Sequence, residues 1–320
     1  MQTTKTPTTN RRSFIRQTGL GVAGVAVHQI RAYSEPAKTD GTRNDSPYQF
    51  VLFTDNLADL SVTEACREIN RIGFDGLDLT VRPGGHVLPE NVVRELPVAK
   101  RIAAGHGLAL PMISTAITDI DSPHAEAIME TAAAVGVKKI KLGYWRYRPF
   151  GTALQQLDSA RSKMERIAKL AGRYGVLPCV HVHSGDQVTA GGGLLYLILK
   201  DFTAQEAGAY VDPMHMSVEG ALGGWQIGLD LLTPWVALVG IKNYRWRDDA
   251  DPSEPRVQYT TLDSGMAPLK QFMGYIRQMN YRGPISLHSE YKGRTSFRRL
   301  TSPELLQQSK ADLIYLKSIS

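Results

Sequence analysis

The chain has 320 residues, 42% of them hydrophobic and 21% charged, which is enough for one large α/β domain and shows no bias toward disorder or a disulfide-rich scaffold. No apolar run reaches the length that a bilayer crossing needs. The formal net charge is +6, but Lys5, Arg11, Arg12, Arg16 and Arg31 supply five of those charges before residue 35, so the body is nearly neutral and lacks the basic face that nucleic-acid binding requires.

The segment "TNRRSFIRQTGLGVAGVAV" has paired arginines, Phe14 and Ile15, another arginine, and a short run of Gly, Ala and Val. That order predicts a twin-arginine signal over residues 1–34, with Ala32, Tyr33 and Ser34 offering small residues for cleavage and an extracytoplasmic or periplasmic destination. The plainer alternative is a basic tail. Residues 35–47 read as a flexible polar linker. Export by this route carries folded proteins, which favours a chain that already holds a cofactor or metal. Cys66 and Cys179 both fall in apolar patterns and read as packed thiols.

From residue 48 the chain alternates. "YQFVLFT" reads as a strand and "SVTEACREINRIG" as an amphipathic helix; "DGLDLT" and a helix over 90–105 follow, then "LALPMIST" and "PHAEAIMETAAAVG". "KKIKLGYW" precedes a helix at 154–174, and "VLPCVHVHS" one near 192–201. "GAYVDPMH" precedes a Gly-rich helical stretch at 223–232, and "VALVGIKNY" a long polar loop, read as a lid, and a helix at 268–280. "GPISLHSEY" leads into a last helix at 302–318. Eight strand–helix units without a dinucleotide-binding glycine fingerprint predict a (β/α)8 TIM barrel over 48–320; a doubly wound sheet is the runner-up.

In such a barrel the polar residues at the carboxyl ends of the strands converge on one face. Those ends carry Asp78, then Lys141 and Trp145, then His181 and His183, Asp212 and His215, Lys242, and finally His288 and Glu290. Carboxylates and imidazoles together suit a divalent cation such as Mn²⁺, Mg²⁺, Co²⁺ or Zn²⁺. Arg82 and His86 in the "TVRPGGHV" loop are candidates to hold anionic or hydroxyl groups of a substrate. Trp145 offers an aromatic face for a sugar ring.

The chain resembles the sugar phosphate isomerase/epimerase family with the xylose isomerase-like barrel, over about residues 48–318. The resemblance rests on "GFDGLDL", "VDPMHM", "VGIKNY" and "GPISLHSEY". It implies that Asp212 binds metal, that His215 contacts substrate, that Lys242 lies near the substrate, and that Glu290 is the last carboxylate ligand. Two positions depart from the family pattern. His181 stands where members usually place a Glu that binds metal and moves a proton, and Gly240 stands where a ligating His falls. The expected metal set is therefore His181, Asp212 and Glu290, with the lost ligand made up by water, substrate or His183.

Each residue also has a blander reading. Asp212 would cap a turn before Pro213, Glu290 would pair with Lys292 or Arg294, and Lys242 would pair with Asp212 or Glu290. His181, His183 and His288 would be satisfied core histidines, and Trp145 would pack a loop. The leading expectation is an exported, metal-dependent isomerase or epimerase of a sugar or polyol, acting by proton abstraction beside a carbonyl. Glu290 or His181 would take the proton, His215 would orient the oxygen and Lys242 would stabilise charge. Asp78, Arg82, His86, Lys141, Trp145, His183 and His288 would line the substrate. A dehydratase and a carbohydrate-binding barrel without turnover are the alternatives. A small carbohydrate or polyol is the expected partner, with no nucleic acid or membrane; a homo-oligomer stays compatible with the sequence. An apurinic endonuclease on the same barrel is set aside, because the body is nearly neutral.

Overall fold

Short strands dense in Val, Ile and Leu that are buried on both faces are what a parallel sheet covered by helices demands. The computed structural model, which describes residues 46–247 and 256–320, shows eight of them: β1 (Gln49–Phe53), β2 (Gly76–Val81), β3 (Ala109–Thr115), β4 (Lys139–Lys141), β5 (Leu177–His181), β6 (Gly208–Val211), β7 (Val236–Ile241) and, after a hairpin of β8 (Asn243–Trp246) and β9 (Val257–Thr260), β10 (Pro284–Leu287). They close in the order β1-β10-β7-β6-β5-β4-β3-β2, every neighbour parallel. The expected (β/α)8 barrel is the fold observed. The predicted signal segment and nearly all of the linker lie outside the described residues.

The helices wrap this ring: α1 (Val62–Arg71), α2 (Val92–Gly105), α3 (Ala125–Ala134), α4 (Ala153–Tyr174), α5 (Gly191–Leu199), α6 (Pro213–Glu219), α7 (Gly224–Leu232), α8 (Leu269–Gln278) and α9 (Ser302–Ile319). Their starts are written in the sequence. Ser61 and Glu64 form a capping box on α1, and Thr301 and Glu304 form one on α9, each satisfying backbone N–H groups that a helix leaves unpaired. Gly192 of α5 lies against Gly228 of α7 so closely that a Cβ on Gly192 would stand 2.6 Å from the Gly228 backbone, so small residues set this helix pair. Among the described residues no helix is long and apolar enough to cross a membrane.

Two layers of core follow. The large one, between strands and helices, includes Leu52, Leu79, Ile113, Ile140, Val180 and Ile241, each side chain contributing about 1.5–3 kcal/mol by leaving water. The small one fills the barrel itself with Met112, Cys179, Tyr210 and Leu238, one residue from each of four strands. Below the mouth, Lys139 reaches across to the Ala237 carbonyl on β7 at 2.9 Å. Cys66 and Cys179 are free and buried, and burial pushes their thiols up to about 11 and about 12, so both are packing residues at neutral pH.

Two elements differ from expectation. The "DPMH" segment, read as the end of a strand, opens α6 instead, because Asp212 caps it and Pro213 fixes its first turn. The polar loop after β7 contains the antiparallel β8–β9 ribbon, paired from Asn243–Thr260 to Trp246–Val257.

Candidate active site

The β6 strand delivers Asp212 to the carboxyl end of the barrel, where it does two things at once. Its Oδ1 accepts the backbone N–H groups of Met214 at 2.9 Å and His215 at 3.3 Å, which is the N-cap of α6. Its Oδ2 is buried and has no hydrogen-bond partner. Because Oδ1 is fixed by the cap, Oδ2 is held in one direction, into the barrel mouth.

Two imidazoles face that oxygen. His181 Nε2, from the end of β5, is 3.5 Å away, and His215 Nε2, from the first turn of α6, is 3.9 Å away. Both nitrogens are buried and without a hydrogen-bond partner. Each ring is oriented from behind by a hydroxyl at its other nitrogen: Tyr144 at 3.3 Å from His181 Nδ1, and Ser184 at 2.8 Å from His215 Nδ1. His181 also stacks on Tyr210 at 4.4 Å. Burial first, then Lys141 and Lys242 beside His181 and Lys242 beside His215, hold both imidazoles well below the usual histidine range, so they are neutral. Burial raises the Asp212 carboxyl, against the pull of Lys242.

Three buried polar atoms without partners are costly. The donor atoms of His181, Asp212 and His215 lie within 4.8 Å of one another, and a divalent cation would satisfy all three. Two neutral imidazoles and a carboxylate are a donor set that Zn²⁺, Co²⁺, Mn²⁺ and Fe²⁺ share. The chemistry of these donors therefore fits a metal.

Glu290 stands apart from that trio. Its Oε1 is 2.8 Å from Lys242 Nζ and 3.8 Å from His288 Nδ1. Burial pushes its carboxyl up, but Lys242 and His288 outweigh this and hold it well below the ordinary range. Burial alone would lower Lys242, yet Glu290, Tyr259 and Asp212 hold its ammonium above the ordinary lysine range. The unpartnered atoms bring His215 together with His181 and Asp212, while Glu290, expected from the sequence as a ligand, is engaged in an ion pair with Lys242. Lys242 pairs with Glu290, and Lys292 instead pairs with Asp59 at 2.7 Å.

Asp78 lies deeper than the mouth. It is fully buried and accepts hydroxyls from Ser114 at 2.8 Å, Ser286 at 2.9 Å and Tyr210 at 3.3 Å. Tyr210 also hydrogen-bonds His288 Nε2 at 2.7 Å, and His288 stacks on Phe53 at 4.5 Å. His183 packs its ring 3.8 Å from that of His215, and burial lowers it to about 4. Arg82 pairs with Asp55 and lies 5.5 Å from the Phe53 ring centroid. His86 receives support from Thr80 at 3.1 Å through its backbone N–H.

Trp145 is placed differently from the sugar-stacking role expected of it. A buried indole needs an acceptor, and Trp145, in the loop after β4, finds one at 2.9 Å in the Thr118 carbonyl of the loop after β3. Its neighbour Tyr144 instead lies among the site residues, with its ring centroid 3.7 Å from Lys141 Nζ. Tyr144 and Tyr210 were both missed in sequence reading. The position of Tyr210 two residues before Asp212 on a strand is the signal that places it on the same inward face.

Fold and site together define a (β/α)8 barrel with a cation-type donor cluster at the carboxyl end of its strands. The family model described as "Xylose isomerase-like TIM barrel" matches residues 66–318, and the chain belongs to that family. Comparison with curated proteins by sequence gave no match. Among solved structures, the probable 3-DHS dehydratase of petrobactin synthesis from Bacillus anthracis is similar at a TM-score of 0.65 and 17% identity, with 84% of this chain and 98% of that one covered. The 3-keto-D-glucoside 4-epimerase from E. coli is similar at 0.62 and 16%, with 85% and 99% covered. A xylose isomerase-like TIM barrel protein from Mycobacterium smegmatis, in complex with magnesium, is similar at 0.62 and 15%, with 85% and 96% covered. At these identities the likeness speaks to the fold.

Proposed function

We propose that the chain is a sugar or polyol isomerase/epimerase that moves a proton on a carbon beside a carbonyl. The observation that carries this reading is the convergence of His181 Nε2, Asp212 Oδ2 and His215 Nε2, all buried and all without partners. These three residues would hold a divalent cation, which supplies Lewis-acid stabilisation of negative charge developing on the substrate's oxygens.

Glu290 is the proton acceptor. It is ionised, its side chain is 26% exposed against 0% for Asp212, and it lies beside the cluster without being consumed by it. Its ion pair with Lys242 lowers its basicity, so Glu290 works only on a carbon acidified by its surroundings. Lys242 then keeps positive charge beside the reacting atoms as the proton moves. Tyr144 and Ser184 fix the two imidazoles, and His288 Nδ1 stands 3.8 Å from the same Glu290 oxygen that Lys242 holds. The similar epimerase and dehydratase support this class of chemistry, and a dehydratase begins with the same proton removal.

The test is exchange with solvent. Candidate ketoses are incubated in D₂O with the protein and added Mn²⁺ and followed by NMR. Deuterium at a single carbon next to the carbonyl, lost in Glu290→Gln while metal content is kept, is the expected result. Metal bound with no exchange on any sugar, but with sugar binding intact, would instead mark a binding barrel without turnover. The order of residues at 10–34 supports export by the twin-arginine route. Fusion of that segment to a reporter, with Arg11→Lys and Arg12→Lys together abolishing export, checks it.

A further inference from the structure

The site holds two buried lysines, and they are treated in opposite ways. Lys242 has Glu290 at 2.8 Å and Asp212 at 3.8 Å. Lys141, on β4, is only 3% exposed, and among the described residues no carboxylate stands within ion-pair distance of its ammonium. Its close neighbour is the face of Tyr144, 3.7 Å from Nζ to the ring centroid. The adjacent carboxylate of Asp78 is already taken by Ser114, Ser286 and Tyr210. Arg82, the next cation, has its own partner in Asp55.

Lys141 points into the mouth. Its register partner on β5 is Cys179, which belongs to the barrel's interior cluster, and parallel partners face the same side of a sheet. It also lies one layer above Lys139, whose ammonium is satisfied by the Ala237 carbonyl. An aromatic face offsets part of the cost of a buried ammonium, but a buried charge is ordinarily matched by an opposite one. The protein does not supply it.

We propose that the anion comes with the substrate: Lys141 is the docking point for a substrate carboxylate, and the substrate class is the sugar acids, uronates or keto-aldonates, in place of neutral sugars. Strand order gives this its geometry. In the closed ring β4 and β10 are four places apart in either direction, so Lys141 stands diametrically across the mouth from the residues that follow β10, Glu290 among them. The carboxylate end of a sugar acid rests on Lys141 while a carbon further along the chain meets Glu290. Burial, with Arg82 adding to it, lowers the Lys141 amine to about 7 while the site is without an anion. A docked carboxylate restores its charge. This deepens the sugar reading above and rests on it for the carbon chain, though not for the anion.

The experiment has two arms. In the first, titration calorimetry compares D-fructose with D-fructuronate, which differ only in the oxidation of C6. The expected result is about tenfold or greater preference for the acid, lost in Lys141→Met and partly kept in Lys141→Arg. In the second, acetate alone is added to the unmodified protein while the lysine ¹³Cε resonances are followed by NMR, the Lys141 signal being the one missing from Lys141→Met. Acetate should move that signal and raise its titration midpoint. Binding of D-fructose as strongly as the acid, with a Lys141 signal indifferent to acetate, overturns the carboxylate site and leaves the sugar reading standing. A response to acetate with no binding of either sugar keeps the anion site and removes the sugar reading. No response in either arm overturns both.

Discussion

Gly240 on β7 and Tyr210 on β6 compete for one place: a Cβ built on Gly240 would stand 3.0 Å from Tyr210 Cε2 and 3.4 Å from Asp212 Oδ2. The glycine is therefore what allows the tyrosine ring to lie across the barrel, stacked on His181 and bonded to His288. Gly240 is where the resemblance places a ligating His, and the Tyr210 ring lies against that position. Gly240→Ala is expected to cost about 1–3 kcal/mol through overpacking, read as a lowered Tm. Gly240→His alone adds no metal ligand, whereas Gly240→His with Tyr210→Ala raises metal affinity, measured by competition with a chelator.

Asp212 caps α6 with one oxygen and faces the imidazoles with the other, and the two duties separate by substitution. Asp212→Asn keeps a cap acceptor and loses the anion; Asp212→Ala loses both. Both variants are expected to purify without stoichiometric metal. Asp212→Ala should lose a further ~1 kcal/mol or so of stability relative to Asp212→Asn in the presence of chelator. Denaturant unfolding beside elemental analysis, iron included, checks both halves.

Tyr210 supplies the hydroxyl that joins His288 Nε2 at 2.7 Å to Asp78 at 3.3 Å, all of it buried. Tyr210→Phe leaves His288 Nε2 without that partner, at an expected cost of about 1–3 kcal/mol in unfolding free energy. The His288 ring then loses its anchor beside Glu290, so exchange of substrate protons should slow even in protein that remains folded.

Lys141 gives the stability of the protein a pH dependence in the alkaline range. Burial first, then Arg82 and Lys242, lower its amine to about 7, with Asp78 and Asp55 opposing. In the unfolded chain a lysine holds its proton up to about 10.4. Between those values the unfolded state binds the extra proton, so stability rises with pH by at most about 1.4 kcal/mol per unit. Below about 7 both states are charged and the slope vanishes. Lys141→Met should flatten this rise in chemical denaturation performed across the window.

The fold was legible because each of its layers repeats. Eight apolar runs alternate with helical periodicity, and "SVTE" and "TSPE" carry their caps on the surface of the text. The strand-end rule located His181, Asp212, His215, Lys242 and Glu290 at one mouth. It did not reveal which of them share atoms, since that depends on side-chain direction over distances of a few ångströms. Asp212 and His215 became neighbours of one cavity because Pro213 turns the chain into a helix, which brings the third residue back over the cap. Tyr144 and Trp145 are adjacent in sequence, and only packing decides that the first faces the site while the second finds its acceptor at Thr118. The β8–β9 ribbon was hidden because its alternation runs for only four residues in each strand, "NYRW" and "VQYT", the shortest run that marks a half-buried strand.

We propose that His181, Asp212 and His215 grip one divalent cation. Anomalous X-ray diffraction from crystals soaked in Mn²⁺ tests it most directly. One strong peak about 2.0–2.3 Å from His181 Nε2, Asp212 Oδ2 and His215 Nε2 is the predicted result. A peak held by Glu290 without the two imidazoles, or no peak in the barrel mouth while Mn²⁺ is present in excess, would contradict it.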